Sequence, residues 1–60
     1  MESDLIYYRR RAAEETAAAI AVQNMTVKQV HLELARRYSV RVTDLEAEPT
    51  RERLRLISAA

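Results

Sequence analysis

Sixty residues carry ten basic and nine acidic side chains, for a formal net charge of +1, with no cysteine, no glycine and a single proline. A chain of this length is at most one domain and buries only roughly 60% of the surface its unfolded form exposes, so oligomerisation or a covalent staple is expected. The missing cysteines exclude disulfides, thiolate metal sites and cysteine nucleophiles, and the near-neutral charge argues against a general polyanion binder.

Without glycine, the positive-φ turns of a sheet protein lose their usual residue, and the Ala-, Glu-, Arg- and Leu-rich composition reads as helix. The fold expected is all-α: an antiparallel helical hairpin with a short C-terminal helix or tail, paired as a homodimeric four-helix bundle. The three tyrosines are the only aromatics, so the core is aliphatic and thin. The longest apolar run, Ala17 to Val22, falls far short of the roughly 20 residues that span a bilayer. The acidic opening Glu2-Ser3-Asp4 is unlike a signal peptide. Both features suggest a cytoplasmic protein.

The first helix is expected over about 4–23, capped by Ser3 or Asp4. At 100° per residue, Leu5, Tyr8, Ala12, Thr16, Ala19 and Ile20 fall in one sector. Its small residues suit close helix contact. Ala17, Ala18 and Ala21 carry weakly polar surface around the rest of the helix, which implies more than one contact partner.

Gln23-Asn24-Met25 is the expected connection, with Asn24 tolerating the left-handed conformation that ends helices. Thr26-Val27-Lys28-Gln29 then reads as a capping box, with Met25 and Val30 as a hydrophobic staple. The second helix is expected over about 27–47, its stripe formed by Val27, Val30, His31, Leu34, Tyr38, Val42 and Leu45. Both helices would be about 30 Å long. The β-branched alternation over 39–43 is read as helix, because no strand partner exists and the stripe keeps phase. Pro49 is expected to stop the helix, and Thr50 to cap a short helix over about 51–58.

His31 is the only histidine. A zinc ligand pair would want a partner three or four residues on, where Leu34 and Ala35 stand. A histidine at the core or interface edge is therefore favoured over a pH-sensitive contact or a ligand. Folding the helices back on each other brings Tyr38 and His31 toward Glu15, so a Glu15–Tyr38 or Glu15–His31 hydrogen bond is expected to satisfy a partly buried carboxylate. Glu14 and Glu15 do not make a catalytic pair, since neighbouring helix positions point about 100° apart.

Arg9, Arg10, Arg11, Arg36 and Arg37 are the conspicuous basic clusters. Arg10–Glu14, Arg11–Glu15 and Glu33–Arg37 stand at i,i+4 spacing and suggest a solvated, salt-bridged face. The competing reading is an anion patch formed where Arg11 meets Arg37 or Arg41. Residues 34–40 also resemble the first half of a helix-turn-helix, with Ser39 at the turn position. A recognition helix from Thr43 would meet Pro49 after six residues, too soon to lie along a groove.

The spacing of Asp4-Leu5, Tyr7-Tyr8, Arg10-Arg11, Glu14, Ala18 and Ala21, followed by His31-x-x-Leu34-Ala35-x-x-Tyr38, resembles a group of short alpha-proteobacterial helical-hairpin proteins whose function is unknown. The likeness covers residues 4 to about 46. It implies helix through Tyr38 and transfers no activity. The function expected is a non-enzymatic structural or protein-interaction module that homodimerises through its helices, without cofactor or metal and without membrane contact. The alternative is a small nucleic-acid-associated or regulatory factor using the arginine clusters.

Overall fold

The computed structural model describes residues 2–59, the side chain of Ala59 excepted. Two helices, α1 (Asp4–Ala21) and α2 (Met25–Ala59), pack against each other as a hairpin. Ser3 is the N-cap of α1: its Oγ accepts from the Ile6 amide at 3.2 Å, and its carbonyl accepts from the Tyr7 amide at 2.9 Å. These contacts satisfy backbone groups that a helix start leaves unpaired.

The connection is shifted one residue from the expected Gln23-Asn24-Met25, to residues 22–24. α1 ends on extended Val22 (φ −88°, ψ 149°), whose N–H donates to Ala18 O at 3.2 Å. No described residue has positive φ, so Asn24 does not act as a left-handed helix terminator. It caps α2 instead. Its side-chain oxygen accepts from the Val27 amide at 3.0 Å, and its carbonyl accepts from the Lys28 amide at 2.9 Å. The expected Thr26 cap is thereby displaced by two residues. Asparagine is the stronger capping residue, and using it lets Met25 and Thr26 join the helix, dissolving the Met25–Val30 staple.

Residues 39–43 are helical, as expected, and no turn forms at Ser39. Pro49, by contrast, does not end the helix. α2 runs through it to Ala59, so the separate 51–58 helix does not exist. A proline inside a helix removes one backbone bond and costs about 3 kcal/mol. Here Glu46, Ala47 and Glu48 before it and Arg51 to Leu56 after it all favour helix or tolerate it. Asp44 and Arg51 form an ion pair across the proline at 3.6 Å.

The two helices are therefore unequal. At 1.5 Å per residue α1 is about 27 Å long and α2 about 52 Å, so the last turns of α2 extend past the start of α1. The Cα positions span 55 × 25 × 10 Å, with a radius of gyration of 15.7 Å. A compact chain of this length would have a radius near 10 Å. The molecule is one helix layer thick.

Its buried apolar core consists of Ala19 and Ala35, 2% and 7% exposed, and no large side chain is fully buried among the described residues. Leu5, Tyr8, Ala12, His31, Leu34, Tyr38 and Leu45 are half-buried along the contact. Thr16, Ile20, Val27 and Val30, expected on the same stripe, are exposed.

Two outcomes follow. Asn24→Ala should lower unfolding stability by about 1 kcal/mol while Thr26→Ala changes it little; a chemical denaturation series with the reverse order would return the helix start to Thr26. Pro49→Ala should stabilise the helix by up to about 3 kcal/mol while leaving the ellipticity of the folded chain nearly unchanged, read by circular dichroism. A large rise in ellipticity would contradict a helix continuous through residue 49.

Candidate functional site

At the centre of the seam is a charged residue. Glu15 is 6% exposed and lies one helical turn from Ala19, where the helices meet. An ionised carboxylate only accepts hydrogen bonds, so His31 Nδ1–H donates to it, at 3.0 Å from Oε1 and 3.4 Å from Oε2. Arg11 Nη2 stands 3.7 Å from Oε2. Of the two partners expected for Glu15, the histidine is the one that meets it. No buried side-chain polar atom is left without a partner among the described residues.

A second cluster continues the seam toward the open end. The Tyr8 and Tyr38 rings lie 5.9 Å apart and tilted by 36°. The Arg11 guanidinium sits 5.2 Å from the Tyr38 ring centre and that of Arg41 5.4 Å from the Tyr8 ring. Tyr7 meets Tyr8 edge-on at 5.3 Å. Cation–π contacts at partly exposed sites contribute about 0.5–1 kcal/mol each. Arg11 thus touches Glu14, Glu15 and Tyr38, and contact with Tyr38, followed by Glu14, raises its pKa.

The arginine clusters are occupied by carboxylates. Arg10 bonds Glu2 at 2.9 Å and Glu14 at 2.7 Å, and Arg9 meets Glu46 across the hairpin at 3.4 Å. Arg36 and Arg37 both bond Glu33, at 3.1 and 3.3 Å. Arg37 and Arg11 therefore serve different carboxylates. Hydrogen bonds from Arg10 hold Glu2 and Glu14 below the usual carboxylate range, and those from Arg36 do the same for Glu33. Because these pKa values are depressed in the folded chain, their support is complete above the ordinary carboxylate pKa. It is lost as pH falls through the lowered values.

Helical phase sorts the remaining residues onto two broad faces. Leu5, Ala12, Thr16 and Ile20 share the side of α1 that carries Arg9, so they flank the Arg9–Glu46 pair together with Leu32, Ser39 and Thr43 of α2. The opposite face carries the Arg11–Tyr38 and Arg41–Tyr8 stacks and, toward the turn, Val27, Val30 and Leu34. Val30 and Leu34 line a shallow hollow of about 410 Å³ with Thr26, Gln29, Glu33 and Arg37. A larger hollow of about 530 Å³ lies along α2 between Arg41 and Arg55 and is lined mostly by charged side chains.

Neither hollow includes Glu15 or His31. The pair lies between the helices, Glu15 buried and His31 partly exposed. Among the described residues no three His, Cys, Asp or Glu side chains converge as metal ligands would, and no helix is long and apolar enough to cross a membrane. No protein-family model, curated protein or solved structure matches the chain.

Glu15 stands in the seam as the partly buried carboxylate expected from the helix register, while Arg11, expected outside the stripe, is also turned into the seam. Their signal lay in the opposing helix, where His31 and Tyr38 offer a donor and an aromatic face at matching levels. Glu15→Ala should destabilise the fold by about 1–3 kcal/mol, whereas the neighbouring Glu14→Ala, on exposed ion pairs, should change it much less. Equal effects in urea titrations would contradict the assignment of Glu15 to the seam.

Proposed function

We propose that this chain is a non-enzymatic interaction module of the cytoplasm, whose working form is a homodimer of two hairpins stacked into a four-helix bundle. One observation carries the reading: a slab 10 Å thick whose buried apolar core is two alanines. A domain needs two packed layers to enclose a core, and this chain has one.

The face flanking the Arg9–Glu46 pair suits a second copy. Ile20 is 76% exposed there. The Thr16 hydroxyl already donates to Ala12 O at 2.8 Å, so covering it strands no donor. Half-buried Leu5 and Ala12 add small or apolar surface, which allows close approach of the partner helices. The opposite face, with its hollow at Val30 and Leu34, remains open to a different protein.

The alternative, nucleic-acid binding, draws no comparable support. Arg9, Arg10, Arg11, Arg36 and Arg37 all contact carboxylates, and a phosphate backbone would have to displace them.

Light scattering over a hundredfold dilution should give at least twice the 6.9 kDa chain mass at the concentrated end. Ile20→Asp should require roughly tenfold more protein to associate, because it buries a charge in the contact. A chain mass of 6.9 kDa at every concentration, with cooperative unfolding, would overturn the proposal.

A further inference from the structure

Beyond Glu46, α2 has no helix beside it, and one stripe of residues runs into this overhang from Val40. Val40, Thr43, Ala47, Thr50, Leu54 and Ile57 are spaced alternately by three and four residues, the period of a coiled-coil seam. They form one stripe of α2, on average roughly 90° around the helix from Ala35, the residue it buries against α1. Val40, Leu54 and Ile57 are exposed. The Thr43 hydroxyl donates to Ser39 O at 3.1 Å, so its burial would leave no donor unpaired.

We propose that this seam is a second self-association surface, on which α2 pairs antiparallel with the same segment of a second copy, centred between Glu48 and Pro49. In that register Val40 meets Ile57 of the second copy, Thr43 meets Leu54, and Ala47 meets Thr50. The charges beside the seam decide the orientation. Asp44 and Arg51 border one edge, Glu46 and Arg53 the other. The antiparallel register sets Asp44 against Arg51 of the second copy and Glu46 against Arg53, each twice by symmetry. A parallel pairing would face Asp44 with Ser39 and Arg53 with Ser58, keeping only Glu46 against Arg51. Charge complementarity therefore selects the antiparallel form. Within one chain Asp44 and Arg51 already approach to 3.6 Å with both side chains half-exposed, and an ion pair so solvated is readily exchanged for one across the interface.

This surface shares Thr43 and Glu46 with the hairpin face proposed above but runs on along the overhang of α2, and it is tested separately. Full-length wild type, Asp44→Arg, Arg51→Glu and an equimolar mixture of the two variants are compared by light scattering at high protein concentration, with helical content checked by circular dichroism. Each variant alone sets like charges against each other across the antiparallel seam, and its mass should fall to half the wild-type value or below. The mixture should recover the wild-type mass, because it restores opposite charges between chains. It cannot restore the pair within either chain, so recovery excludes a purely intrachain role. Equal masses in all four samples would overturn the seam; if that common mass is twice the chain's, hairpin stacking stands. An Asp44→Arg mass equal to wild type with a reduced Arg51→Glu mass would establish the parallel pairing and overturn the antiparallel one. Failure of hairpin stacking alone leaves a different pattern, with wild type at two chains, each variant at one, and two again on mixing.

Discussion

Alanine at the points of closest contact shapes this hairpin. Ala19 and Ala35 are the apolar residues buried between the helices, and their size brings the two backbones together with little hydrocarbon between them. The longer side chain that shares the seam, Glu15, is an acid. Its burial is tolerable because His31 donates to it and Arg11 stands nearby. Removing a partner from such a group costs more than the pair itself contributes. The contact therefore sets the register of the helices more than it supplies hydrophobic stability.

A thin seam pushes the larger apolar groups outward. Ile6, Ile20, Met25, Val30, Leu54 and Ile57 are all exposed, which is more apolar surface than a chain with an alanine core can cover by itself. Scattered exposed apolar residues are ordinary, but here they lie on the broad faces and along an overhanging helix. The charged residues behave oppositely. Arg10, Arg11, Arg36 and Arg37 are bound to glutamates on their own helix, so they solubilise the rims and supply little concentrated field.

Much of the fold was legible in local chemistry. The composition specified helix, Ser3 marked the first cap, and the carboxylate of Glu15 called for a donor that the opposite helix could supply. Two boundaries were not legible, for reasons of competition between local signals. Thr26-x-x-Gln29 matches a capping box, but Asn24 is the better cap two residues earlier and satisfies Val27 directly. Pro49 is a helix breaker in isolation, yet strong helix formers flank it and an ion pair spans it. Periodicity also placed the α1 contact sector about 60° from where it lies. The apolar sector includes Thr16 and Ile20, which are exposed, and omits Glu15 and Arg11, which enter the seam because His31 and Tyr38 receive them. Glu15 was recoverable from the register that sets His31 opposite it, whereas Arg11 was not, because its partner Tyr38 is an aromatic face and not a charge.

The central claim is that one chain supplies only one layer of a two-layer domain. Thermal unfolding measured over a hundredfold range of protein concentration tests it most directly, since only an associating native state has a midpoint that depends on concentration. The account predicts a midpoint that rises steadily with concentration. A cooperative transition at the same temperature throughout would show that the single hairpin is complete, and would contradict it.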